Sequence, residues 1–312
     1  MARRAGFLGP EAASGRAKRF EGPTWAALIL MHLGWLLVLG SYETLGWIVC
    51  IPAAILTAFH SSLQHEALHG HPTRNAMVNE VLVSLPFGLL IPYRSFRDSH
   101  LRHHNDNRLT DPYDDPETWY IAEREWPRLS PPLRWLLWVN GTLAGRLLIG
   151  PALMSFGFLR AEFRAIRAGD RLVQGAWLRH LAGLGVVLLL VRWSGMPLWL
   201  YVIGVVWPAL SLLSVRTFIE HRAASCPKQR SAVVESGWFW SLLFLNNNLH
   251  RLHHERPAVA WYDLPGLWQH ERARVLEENG GYHFESYGAV AKRWLFSRRE
   301  PMVHPLVRRE GR

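Results

Sequence analysis

The chain has 312 residues, of which 49% are hydrophobic and 16 are tryptophan, and its apolar residues are grouped in long runs; this excludes an ordinary soluble protein and favours one membrane domain. Its net charge of +10 suits nucleic acid, anionic lipid or an acidic protein, but no zinc-finger, ribonucleoprotein or helix-turn-helix pattern accompanies it, so we expect no nucleic-acid binding. With only Cys50 and Cys226, a disulfide framework or thiolate cluster is excluded, and any metal site must use histidine and carboxylate.

The two ends of the chain are polar and basic. We expect a cytoplasmic N-terminal segment over residues 1–23, a membrane domain over residues 24–295 and a basic tail over residues 296–312. A Gly-rich polar stretch separates the first arginines from the first apolar run, so a cleaved signal peptide is not expected. Positive-inside orientation accounts for the basic ends, which include Arg3, Arg4, Arg16, Lys18, Arg19, Arg298, Arg299, Arg308 and Arg309.

Four apolar runs predict four transmembrane helices in two hairpins. Residues 25–40 and 45–59 are joined by a short turn at 41–44 without Lys or Arg, and residues 178–193 and 198–215 are joined by Ser-Gly-Met-Pro at 194–197. Each run is slightly shorter than the roughly 20 residues that span a bilayer, so flanking residues must extend it. The protein is predicted to reside in an inner membrane, with both termini in the cytoplasm.

Two further apolar stretches are predicted as helices that lie at the interface or pack on the bundle. Residues 81–92 are too few to span a bilayer. Residues 133–154 contain Asn140 and Arg146, which are costly at the bilayer centre. The predicted fold is therefore an all-α integral membrane protein with interfacial helices.

Three histidine clusters follow the predicted cytoplasmic ends of the spans. The first contains His65 and His69, four residues apart on one helix face. The other two have the pattern H-x-x-H-H, which also places its histidines on one face. Eight imidazoles exceed what one ion binds, so two ions are predicted, and spacing alone does not choose among iron, zinc, copper and nickel. The second cluster is His100, His103 and His104, and the third is His250, His253 and His254.

Residues 65–69 also match H-E-x-x-H, the zinc-protease pattern in which the glutamate is a general base. A protease needs one further ligand and would leave both H-x-x-H-H clusters without a role. The protease therefore stays an alternative, and Glu66 is expected to orient an imidazole or to form a local salt bridge.

The three boxes H-x-x-x-H, H-x-x-H-H and H-x-x-H-H, placed around two hydrophobic hairpins, resemble the membrane fatty acid desaturase superfamily, which also includes acyl hydroxylases and carotenoid ketolases. The likeness extends over about residues 60–265. The segment Trp261-Tyr262-Asp263-Leu264-Pro265 resembles bacterial members that act on hydrocarbons or acyl-type natural products, although interfacial aromatic residues explain it as well.

The resemblance implies that the eight box histidines ligate two iron ions in a cytoplasmic cap, with His221 as a ninth ligand. Asn246, Asn247 and Asn248 are expected either to hold a metal-bound water or to cap the following helix. No such role is expected for His32, His180, His270, His283 and His304.

The resemblance further implies O2-dependent desaturation of an acyl or lipid-like chain, with hydroxylation or ketone formation as the alternative. The sequence has no dinucleotide-binding motif and no iron–sulfur cysteine set, so a separate donor of the ferredoxin or cytochrome type must supply electrons. Its predicted docking surface is a basic face, with lipid headgroup contact as the alternative; this face includes Arg94, Arg97, Arg102 and Arg251.

Overall fold

The computed structural model describes residues 20–105 and 107–307, so Arg3, Arg4, Arg16, Lys18, Arg19, Arg308 and Arg309 lie outside the described residues. Within them the chain is mainly helical. The helices are α1 Gly22–Gly40, α2 Tyr42–Leu45, α3 Cys50–Leu68, α4 Ala76–Val83, α5 Tyr93–His103, α6 Pro131–Asn140, α7 Leu143–Leu148, α8 Gly150–Arg167, α9 Arg171–Trp193, α10 Leu198–Tyr201, α11 Trp207–Thr217, α12 Trp238–Leu243, α13 His250–Glu255, α14 Leu264–Glu278 and α15 Tyr287–Trp294.

Among the described residues, four helical segments are long and apolar enough to cross a membrane, which confirms the predicted pair of hairpins. They are Gly22–Gly40, Tyr42–Leu68, Arg171–Trp193 and Leu198–Thr217. The second joins α2 to α3 through a 3₁₀ turn, and the fourth joins α10 to α11 through a π-helical turn. Each equals or exceeds the predicted run in length, because polar residues at its ends remain helical.

The segment that follows α4 is not helical, although a helix was predicted over residues 81–92. Helix α4 ends at Val83, and residues 84–92 form turns in which Leu89 has a φ of 61°, outside the helical region. The segment still packs against the bundle. Phe87 stacks on Trp35 of α1 with ring centroids 4.3 Å apart, and its carbonyl accepts a hydrogen bond from Tyr201 Oη at 2.8 Å.

The stretch 133–154 does not cross the membrane as one helix but belongs to α6, α7 and α8. The break between α6 and α7 requires Gly145, since a Cβ there would lie 1.9 Å from the Val139 carbonyl oxygen. Asn140 and Arg146 are buried in the protein, so neither meets hydrocarbon.

In the part of the chain that the structure describes, one short strand pair is added to the predicted helical fold. Strand β1, Val233–Val234, pairs in parallel with β2, His283–Phe284, and joins the region before the third histidine cluster to the C-terminal region. The tail beyond α15 also packs on the protein, because the carbonyl of Met302 accepts a hydrogen bond from the amide of Ile121 at 2.8 Å.

Candidate metal centre

The nine histidines proposed as ligands lie together at one end of the helical bundle. Helix α3 extends past its apolar part and carries His65 in its last turn, with His69 as its C-cap residue. The remaining seven come from α5 and its C-cap residue, from the segment after α11, and from α13: His100, His103, His104, His221, His250, His253 and His254.

The nine side chains form two groups, within each of which one nitrogen per residue lies within 4.8 Å of all the others. Neither group corresponds to a sequence cluster, because the second and third clusters each contribute to both. The first group is His65, His69, His100, His104 and His253; the second is His103, His221, His250 and His254.

The spacing of the nitrogens fits metal ligation. In the first group, His104 Nε2 lies 2.9 Å from His100 Nε2 and 3.1 Å from His253 Nε2. In the second, His221 Nε2 lies 2.9 Å from His103 Nε2 and 3.0 Å from His250 Nε2. Two imidazole nitrogens that bind one ion at about 2.1 Å and at right angles are about 3.0 Å apart. Each group could therefore hold a metal ion.

The protonation state of five of the nine histidines also suits metal ligation. Burial, and then the neighbouring imidazoles, hold the pKa values of several of these histidines well below the ordinary range, so the rings are neutral at neutral pH. A neutral imidazole has the free nitrogen lone pair that a metal ion requires. This holds for His69, His104, His221, His250 and His253.

Two carboxylates in the loop after α5 contact the outer nitrogens of the second cluster. Asp115 lies 2.8 Å from His103 Nδ1, and Glu117 lies 3.2 Å from His100 Nδ1. Burial opposes protonation of His103, but Glu117 and Asp115 outweigh it and raise its pKa to about 9, so at neutral pH this ring must release a proton before it can bind an ion. Carboxylates in this position fix the ring orientation and strengthen the opposite nitrogen as a donor.

Sequence reasoning missed both carboxylates. The available signal was the acidic run Asp111-Pro112-Tyr113-Asp114-Asp115-Pro116-Glu117, which begins seven residues after His104. Asp115 also accepts hydrogen bonds from the amides of Thr110 and Glu117, which hold the loop against the histidines.

Asn247 is the residue of the three-asparagine run that touches the histidines. Its Oδ1 accepts from His250 Nδ1 at 2.9 Å, and its Nδ2 lies 3.3 Å from His65 Nε2, so it joins the two groups. Asn246 and Asn248 instead donate to the carbonyls of Trp261 and Val234. The alternative role as a helix cap is wrong, since α13 has Leu249 as its N-cap residue and no side-chain cap.

Glu66 does not point into the histidine groups. Its Oε1 accepts a hydrogen bond from the Trp261 amide at 3.0 Å and lies 3.9 Å from His71 Nε2. The other ring nitrogen of His71 is 2.8 Å from Glu21, just before α1. Of the two expected roles for Glu66, the structure supports a local pairing, with His71, and it adds Glu21, which sequence reasoning did not identify.

The predicted basic docking face is only partly exposed. Arg94 and Arg97 pair with Glu80 and Asp98, at 2.6 and 2.8 Å. The prediction that Arg251 belongs to this face is wrong, because its side chain is 5% exposed and turns inward toward Glu255 and Glu278. Among the four arginines named, Arg102 is the exposed one.

The histidines for which no metal role was expected belong to neither group. Their rings form hydrogen bonds elsewhere, with the carbonyls of Leu28, Leu89 and Gly266, with Glu235, and with Thr110 and the Val307 amide, for His32, His180, His270, His283 and His304 respectively.

A sequence model of the family described as fatty acid desaturase matches residues 42–286, which is most of the chain and includes all nine histidines. The chain belongs to the fatty acid desaturase family. A comparison with curated proteins gives no match. Membership in the desaturase family identifies the protein as an oxidoreductase that acts on lipid chains, and the four apolar helices fit a membrane protein.

Proposed function

We propose that this protein is an O2-dependent di-iron oxidoreductase that desaturates an acyl or lipid-like chain with electrons from a separate donor. The observation that carries the proposal is the division of nine imidazoles into groups of five and four, with nitrogen spacings that suit one ion each. In this proposal the group that contains His65 holds one iron, and the group that contains His221 holds the other.

Imidazole ligands without thiolate are compatible with several transition metals. Iron is favoured because the desaturase family is typically di-iron. When bound, two iron ions and O2 would supply an oxidant strong enough for an unactivated C–H bond, which acids and bases cannot attack.

The residues of this chain hold and orient that centre. Asp115 and Glu117 contact the Nδ1 atoms of His103 and His100, which leaves the Nε2 atoms for the ions. Asn247 does the same for His250. The choice between desaturation and hydroxylation depends on where the chain lies relative to these ligands, because a shift of about 1 Å changes which hydrogen is reached.

The electron donor is proposed to be an acidic ferredoxin or cytochrome. Arg102 supports this, since it is exposed and lies in α5 between His100 and His103. A cation so close to the ligands suits a transient, electrostatically guided contact. In the proposed arrangement the protein crosses the inner membrane several times, with the histidine end of the bundle and both termini in the cytoplasm. The basic ends of the chain are consistent with this orientation.

Metal analysis combined with lipid mass spectrometry tests the function. We expect about two iron ions per chain and a product that has lost two hydrogens. Hydroxylation would instead add one oxygen atom. His253→Ala should abolish oxidation, whereas His270→Ala, a matched control at an exposed histidine, should not. One zinc ion, and peptide cleavage that Glu66→Gln abolishes, would overturn the proposal in favour of a protease.

A further inference from the structure

An apolar groove of about 380 Å³ lies between the two helices of the first hairpin. One wall is formed by Ala26 and Leu30 of α1, and the other by Leu56 and Phe59 of α3. Short helix α12 contributes further apolar side chains. The groove runs along parts of α1 and α3 that belong to candidate membrane spans, so its open side faces the hydrocarbon of the bilayer.

Trp261 lines the groove and is hydrogen-bonded to two residues that are next in sequence to His65 and Asn247. The Trp261 amide donates to Glu66, the neighbour of His65, and its carbonyl accepts from Asn246, the neighbour of Asn247, at 2.9 Å. Its indole Nε1 donates to Thr24 Oγ1 in the first turn of α1 at 3.2 Å. Trp261 is therefore fixed between the groove and two residues that adjoin the metal centre.

The dimensions place the groove within reach of the centre. Phe59 precedes His65 by six residues of the same helix, which is about 9 Å along the axis. A linear chain that fills the groove and passes Trp261 would thus extend to the first histidine group.

The lining selects the occupant by its polarity. The groove is lined by apolar and aromatic side chains, so it suits methylenes and offers little to a polar headgroup. Leu30 is 68% exposed and Leu242 is 47% exposed at its open side, which makes the groove continuous with the lipid-facing surface. A chain that arrives from the bilayer enters without crossing water.

We propose that this groove binds the hydrocarbon chain of a membrane lipid, which enters sideways from the bilayer, and that Trp261 sets how far the chain reaches toward the histidines. The inference rests on the proposed function for the identity of the reacting chain. The groove itself does not depend on turnover, and the binding test below is independent of catalysis.

The test uses a palmitate analogue with a mid-chain diazirine, incorporated into phospholipid of the vesicles that contain the protein. After irradiation, mass spectrometry of peptides locates the label. We expect labels on the groove helices and on the peptide that contains Trp261. Ala26→Trp should reduce this labelling about tenfold or more, because an indole in the groove displaces methylenes. Ile29→Trp, on the lipid-exposed side of α1 and outside the groove lining, is the matched control.

A second variant tests the role of Trp261. Trp261→Ala should keep the labelling and move the site of oxidation along the chain, because it removes the indole that limits penetration. Labelling spread evenly over the lipid-facing helices, or unchanged by Ala26→Trp, would overturn the groove. Oxidation of a water-soluble acyl thioester with no oxidation of the vesicle lipid would overturn the bilayer route. Groove labelling without any oxidation would leave the groove standing and refute the proposed function.

Discussion

His104 and His254 stack face to face, with ring centroids 4.3 Å apart and planes 13° apart, although their nitrogens belong to different groups. The two groups are therefore in direct contact through this pair of stacked imidazole rings. His69 contacts His104, and His221 contacts His254, so each touches only the ring of its own group in this pair. The histidine rings in contact with His69 all belong to the first group, and those in contact with His221 all belong to the second.

This arrangement predicts that the two ions can be removed separately. His69→Ala should release the ion of the first group and His221→Ala that of the second, each leaving about one iron per chain because the other shell is intact. Elemental analysis of purified variants measures this, with His270→Ala as the control. Retention of two ions by either variant would contradict its assignment as a ligand.

Asp115→Asn should weaken iron binding without unfolding the loop. The asparagine oxygen can still accept the hydrogen bond from the Thr110 amide or from the Glu117 amide, which bind different oxygens of Asp115, but the charge that faces His103 is lost. The iron affinity should fall roughly 10- to 100-fold, as for other residues that orient a metal-ligating histidine. Competition with a chelator measures the affinity. Asp114→Asn, one residue away, is the control, and equal affinities for the two variants would refute the role of Asp115.

Glu21→Ala should destabilise the protein. Glu21 and His71 are both buried and lie 2.8 Å apart, so the variant leaves a buried imidazole without this partner. The expected loss is about 1.5–3 kcal/mol of unfolding free energy. Glu21→Gln should cost less, because its amide oxygen still accepts from Nδ1–H. Unfolding in detergent measures both, with exposed Glu43→Ala at the other end of α1 as control; no difference between Glu21→Ala and this control would contradict the prediction.

Glu300 should make stability depend on pH. Arg299 lies 3.2 Å from its Oε1, but Oε2 is buried without a hydrogen-bond partner among the described residues, and burial raises the pKa of Glu300 to about 7. Between the ordinary carboxyl range and pH 7 the folded protein therefore binds the proton more tightly than the unfolded chain, so stability falls as pH rises.

Glu300→Gln should flatten this dependence. Melting temperatures of the two proteins, compared from pH 5 to pH 8, measure the effect. An identical pH dependence in both would show that another group is responsible.

The parts of this fold that could be predicted from the sequence are those that a hydrophobic pattern determines. Apolar runs of spanning length predict both hairpins, since lipid leaves few alternatives to a helix. The helix predicted over residues 81–92 fails because Tyr201 and His180 donate hydrogen bonds to the carbonyls of Phe87 and Leu89, so tertiary contacts replace the helical ones.

The same limit applies to the metal centre. The spacing of the histidines predicts which residues could be ligands, but not that His104 and His253 belong to one group while His254 belongs to the other. That division depends on how α5 and α13 approach each other. Glu21 was missed because a single buried carboxylate, 50 residues from its histidine partner, carries no periodic signal.

The hydrogen bond from the Trp261 amide to Glu66 bears on how short motifs are interpreted. In a zinc peptidase the glutamate of H-E-x-x-H must be free to take a proton from water. Here the same glutamate accepts a hydrogen bond from the loop that contains Trp261, while His65 and His69 face the other histidines of the first group. A five-letter motif is thus shared by two chemistries, and the atom that its carboxylate touches distinguishes them.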